Sequence, residues 1–290
     1  MKPLHVKLQG LWVGAALGEL YGTERLNATA GQDLDLVPRL TLRQTERLLA
    51  LAAHWIKTPT PQTQDVLQSC DRLSDVLLAL LPLIFLHPGS VAGLSESLLH
   101  HLGRAGTAQR DWFASAMIVV QSVAQLQQTE TLVDFIPHLL QTPALQTTAI
   151  PASLQTAQRW LADYCGASDL LEANLGNDLA IAQVLYLVLS TPEDFRLTVQ
   201  RAGLLWAAQP EWVMLVAALS GFHNGIKSLP LEWRLGLRQV AWQGETAALE
   251  DGLLTLAHLC AARWAGSYTV PSPKGWSTVA IAPPGQLRPR

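Results

Sequence analysis

Apolar positions along this chain recur every three or four residues, and strand-like alternation is scarce, so the pattern predicts helices. Leu40–Ile56 (LTLRQTERLLALAAHWI) reads as an amphipathic helix with a charged start. Asp65–Leu86 reads as another helical stretch, interrupted at Pro82. Leu98–Arg110 looks like a polar, glycine-containing connection that carries His100 and His101. Asp111–Gln125 predicts a strong helix with Asp111 as its N-cap. Shorter helical pieces are expected at Thr131–Leu140 and Leu154–Tyr164, with a Thr/Gln/Pro-rich loop, Gln141–Pro151, between them. Leu179–Leu189 is apolar almost all round, which predicts a buried helix. Thr191-Pro192-Glu193 should cap the helix after it, with the proline in the first turn. A last helix is expected over Glu245–Trp264.

Two segments carry small residues at a period of four. Gly10, Gly14, Gly18 and Gly22 form one stripe; Ala217, Gly221 and Gly225 form the other. Residues four apart share a helix face. Each glycine costs a helix roughly 1 kcal/mol relative to alanine. Such stripes make sense if the two helices pack against each other with their backbones close. Gly225 should end its helix in a positive-φ conformation. Ile226–Pro230 should then turn the chain into a helix carrying Glu232 and Trp233.

Composition narrows the class. Nearly half of the 290 residues are apolar, which suffices for a sizeable core. The formal charge of −3 gives no basic field for nucleic acid. Three widely spaced cysteines without a CxxC support neither a zinc site nor a disulfide framework, and a reducing cytoplasm is the expected compartment. Lys2 and Lys7 precede LWVGAALG, but that run is short, rich in glycine and ended by Glu19, unlike a signal peptide. No uncharged apolar run approaches the ~18 residues of a membrane span. Residues 1–265 read as one helical domain, and the Pro-rich tail 266–290 is expected to be mobile or draped over the surface.

The two striped segments also carry a resemblance. GLWVGAALGELYG, from Gly10, matches glycine for glycine the opening G-A-L-L-G-L-A-I-G-D-A-L-G of the ADP-ribosylglycohydrolase family, with Glu19 at the family's aspartate. VAALSGFHNGIKSLPLEW resembles the family's late G-A-L-A-G-A-Y-Y-G followed by I-P-x-x-W. LLALLPLIF is similar to A-M-R-I-A-P-L-G-L. The resemblance runs from Gly10 to about Arg238 and implies an all-α, single-domain helical bundle.

It also implies where chemistry would lie. Members of the family hold two magnesium ions between T-D-D-T and a late G-D-x-D-T, and cleave glycosidic bonds to ADP-ribose. Laid on the first motif, this chain has Leu42, Arg43, Gln44 and Thr45. On the second it has Ala207, Ala208, Gln209, Pro210 and Glu211. The family's substrate-loop Asn-Gly falls on Ser74 and Asp75, and its Met-Arg on Leu78 and Ala79. Ala208 and Pro210 cannot ligate through a side chain, and Arg43 would put a positive charge where a cation should sit.

The expectation is therefore a protein that keeps the scaffold without metal or catalysis. It would act as a binding, scaffold or regulatory subunit whose partner is another protein, met through exposed Trp212 and Trp242 and the tail. A second class is a sensor whose residual cleft holds an ADP-ribose-like nucleotide; Arg43, Trp212 and Leu78 plugging that cleft would argue against it. A third is an active hydrolase with relocated ligands, drawn from Glu19, Glu211 and Asp33 or Asp35. His100-His101 and His223 read as solvated or structural, and no G-x-S-x-G, GxGxxG or P-loop occurs.

Overall fold

A computed structural model describes residues 2–29, 42–57, 70, 72–86, 90–104, 107–128, 132, 134–166, 170, 177–240, 248–265, 267–268 and 280–281. The architecture is all-α. In chain order the helices are α1 (Leu4–Thr29), α2 (Arg43–Lys57), α3 (Leu73–Leu86), α4 (Ser90–Arg104), α5 (Thr107–Gln128) and α6 (Phe135–Leu140). Then follow α7 (Ile150–Asp163), α8 (Asn177–Ser190), α9 (Phe195–Leu205), α10 (Pro210–Asn224), α11 (Leu231–Gln239) and α12 (Leu249–Trp264). Short 3-10 turns sit at Pro143–Thr147 and Ile226–Ser228. Two residues after α12, Ser267 and Tyr268, pair antiparallel with Ile281 and Ala280. The rest of the tail lies outside the described residues.

The central pair is α1 against α10, and the glycine stripes explain it. A Cβ on Gly10 would stand 2.0 Å from the Gly221 carbonyl oxygen, and one on Gly14 2.6 Å from that of Ala217. On Gly18 it would meet the Ala217 Cβ at 2.6 Å. The two backbones touch along the seam, as the spacing predicted. Gly225 ends α10 at φ 73°, where the absence of a Cβ removes the steric cost. Around this pair, α3, α8 and α9 pack on α10, and α12 packs on α1. Leu8, Trp12, Phe85, Phe195 and Phe222 are among the largest fully buried side chains. Among the described residues no helix is long and apolar enough to cross a membrane.

Several local expectations are corrected. Pro82 does not interrupt its helix: α3 runs through it. Every α3 residue except Asp75 is buried, so packing outweighs the lost backbone hydrogen bond. The polar connection at Leu98–Arg110 is instead the end of α4 and the start of α5, because Leu94 and Leu98 give it a buried face. Asp111 lies inside α5, and its carboxylate accepts from the Ala149 amide (3.3 Å) at the start of α7, capping a helix remote in sequence. The cap of α9 is Asp194, whose carboxylate accepts from the Leu197 amide at 2.9 Å; Pro192 stays in the turn before it. The expected loop at Gln141–Pro151 contains a 3-10 turn and the first residues of α7.

Candidate functional site at the starts of three helices

Glu19 follows Gly18 on α1 and is turned away from the glycine seam by one helical step. It is only 4% exposed, and its carboxylate meets the start of α2. The Gln44 amide donates to it at 2.8 Å, the Thr45 amide at 2.7 Å and the Thr45 hydroxyl at 2.6 Å. The first amides of a helix have no partner within it, and a carboxylate there meets both the free N–H groups and the positive end of the dipole. Glu19 is thus the cap of α2, supplied by another helix. Burial pushes its carboxyl above the usual carboxylate range. The Thr45 hydroxyl and the two amides pull the other way, and the charge of Glu211 pushes it up further.

Glu211 belongs to the first turn of α10, which opens on Pro210. Its partner is Arg72, just before α3, with Nη1 3.6 Å from the carboxylate. The starts of α2, α3 and α10 therefore converge. A cavity of about 410 Å³ opens between the latter two, lined among others by Arg72, Ser74, Trp112, Gln209 and Glu211. Ser74 is buried beside it.

The positions singled out in the sequence divide clearly. Glu19, Gln44, Thr45 and Glu211 come together. Ala208 is exposed at the cavity rim, and Pro210 packs over Gly22, where a Cβ would stand 3.0 Å away. Arg43 is a correction: it is exposed and does not line the cavity. The guanidinium at this site is that of Arg72, a residue that no motif marks. Asp75 turns from the cavity toward Arg47 (3.7 Å) in a shallow cleft between α2 and α3 that Leu78 also lines. Trp212 is also corrected: it is 5% exposed and stacked on Trp206 at 5.8 Å, so it offers no open face to a partner. Its position just inside α10 puts it under the cavity instead. Trp242, Asp33 and Asp35 lie outside the described residues. His100 is exposed on α4, and His223 is half-buried in the last turn of α10. Sequence reasoning also missed Trp112, which sits near the start of α5 and reaches the cavity wall.

No protein-family model and no curated protein matches this sequence. Among the described residues, no group of three or more His, Cys, Asp or Glu side chains is gathered as a metal site requires.

Proposed function

We propose that this chain is a non-catalytic relative of the ADP-ribosylglycohydrolases that serves as a binding, scaffold or regulatory subunit. The observation that carries this reading is the engagement of Glu19. Its two oxygens are taken up by the start of α2, and Arg72 sits on Glu211, the other carboxylate at the site. Magnesium needs a near-octahedral set of oxygens, usually with carboxylates among them. Ala208 and Pro210 add no side-chain oxygen, so the residues present do not fit a magnesium pair. Calorimetric titration with magnesium tests the reading, and tight two-site binding would refute it. Release of ADP-ribose from an ADP-ribosylated arginine peptide would restore the hydrolase alternative.

A second reading, nucleotide sensing without cleavage, is favoured by the open cavity. Of the three side chains that could plug it, Arg43 and Leu78 do not line it and Trp212 does, and its volume lies within the range of small-molecule sites. Arg72, the Ser74 hydroxyl and the start of α3 offer donors to an anion, and Trp112 offers a ring face to a base. A ligand that binds only the native state must raise its stability, by about 2.7 kcal/mol at a hundredfold excess over Kd. Thermal denaturation with ADP-ribose separates the readings: a rise in Tm that Arg72→Ala abolishes supports sensing, and no rise leaves the protein-binding role.

A further inference from the structure

We infer that His5, Gln9 and His258 form a surface site for a divalent transition-metal ion, zinc, nickel or copper, which clips the first helix to the last. This goes beyond the proposed function and stands whether or not the cavity takes a ligand. His5 and Gln9 are one turn apart on α1, so their side chains share a face of that helix. His258 stands on α12, which packs along α1. The two imidazole centroids are 6.2 Å apart, with their planes 17° from parallel. Gln9 Nε2 lies 3.2 Å from His258 Nε2. Both histidines are exposed, so an ion reaches them from solvent.

The ring nitrogens are available. A histidine held for structure commits its nitrogens to carbonyls or carboxylates. Among the described residues, the Gln9 amide is the one group within hydrogen-bond distance of either ring. A half-turn of that amide exchanges Nε2 for Oε1 and presents a third ligating atom. With metal–nitrogen bonds of about 2.1 Å and about 1.1 Å from nitrogen to ring centre, a tetrahedral ion holds two imidazole centroids about 5.2 Å apart. The rings must therefore close by about 1 Å from 6.2 Å and turn their nitrogen edges toward each other. Exposed side chains make such rotations in picoseconds to nanoseconds.

The donor set selects the ion. Among the described residues no Asp, Glu or Cys joins the two histidines to make a group of three. Magnesium and calcium require several oxygen ligands and find none of the carboxylates they use. Two imidazoles and an amide oxygen suit zinc, nickel and copper, with water in the remaining positions. Without a fourth protein ligand the site stays open to solvent, unlike a closed structural zinc site. His5 and His258 meet only where α12 packs on α1. The unfolded chain does not hold them together, so the ion binds the native state and raises its stability.

Calorimetry and thermal unfolding of the full, untagged chain, first stripped with EDTA, test the inference. Zinc and nickel should each raise Tm, and EDTA should reverse the rise. His5→Ala and His258→Ala should each weaken zinc binding at least about tenfold, with unchanged far-UV circular dichroism, and Gln9→Ala should weaken it less. If an alanine variant misfolds, His5→Gln or His258→Gln keeps a polar side chain at the surface and should show the same loss. Cys165→Ser, which removes a half-buried thiol, should leave zinc binding unchanged. A wild-type chain that takes up neither ion at millimolar concentration, or a folded histidine variant that binds as tightly as wild type, overturns the site. Zinc binding that Cys165→Ser abolishes also overturns it, and an equal rise in Tm with magnesium overturns the choice of ion.

Discussion

Replacing Gly10 by alanine inserts one carbon into the seam between α1 and α10. Its Cβ would lie 2.0 Å from the Gly221 oxygen and 2.8 Å from the Gly225 Cα. Ordinary contact begins at 3.4 Å, so the oxygen is too close by 3.4 − 2.0 = 1.4 Å. The obstacle is backbone, and no side-chain rotation relieves it. The helices must separate over several turns, and a gap of even 0.5–1 Å forfeits about a quarter to a half of each contact's attraction. Overpacking of this kind costs about 3 kcal/mol or more. Better helix propensity returns about 1 kcal/mol, leaving a net loss of about 2 kcal/mol. For a chain of this length that lowers Tm by about 5 °C. Gly236 is the internal control. It too is helical, but its added Cβ would meet only Leu20 Cδ2, at 3.6 Å. Gly236→Ala should therefore be neutral or stabilise by up to about 1 kcal/mol. Urea unfolding of both variants measures the contrast. A Gly10→Ala protein as stable as wild type would refute the close-packed seam, and with it the arrangement that places Glu19 at α2.

Glu19→Ala should lower stability by about 1–3 kcal/mol, because it leaves the Gln44 and Thr45 amides without their acceptor. Because burial raises the Glu19 carboxyl above its ordinary 4.5, the folded state holds that proton more tightly than the unfolded chain. Its contribution is complete below 4.5 and is lost as pH rises through the folded value, so wild type should lose ground to Glu19→Gln between acid and neutral pH in paired urea titrations. Cys260 is fully buried, with its thiol pushed up to about 12, so it should resist alkylation in the native protein and react on unfolding, as mass spectrometry would show. Glu250 is fully buried between Arg234 and Arg238. Arg234→Met with Arg238→Met should destabilise more than Glu250→Gln, since a stranded buried carboxylate costs more than two cations that can reach water; chemical denaturation gives the ranking.

Periodicity was enough to fix the all-α class and to pair the two glycine stripes, because a face without side chains at every fourth residue has few partners it can fit. The grouping of Gln44, Thr45 and Glu211 came instead from the family's two metal motifs laid on the chain, and periodicity had no part in it. The misreadings share a cause. Pro82 and Leu98–Arg110 were judged on local propensity, which burial from the other side of the molecule overrode. Asp111 and Glu19 each cap a helix other than their own, and a bond between residues 38 and 26 positions apart leaves no local trace.

The sequence by itself determined which segments coil, which faces are apolar and which backbones can touch, since those follow from side-chain size and spacing along one helix. Only the tertiary structure decided which charges meet. It turned Arg43 to solvent and brought Arg72 to Glu211, and it stacked Trp212 on Trp206. Electrostatic and contact energies depend on distances through space, and those are set by how the helices pack.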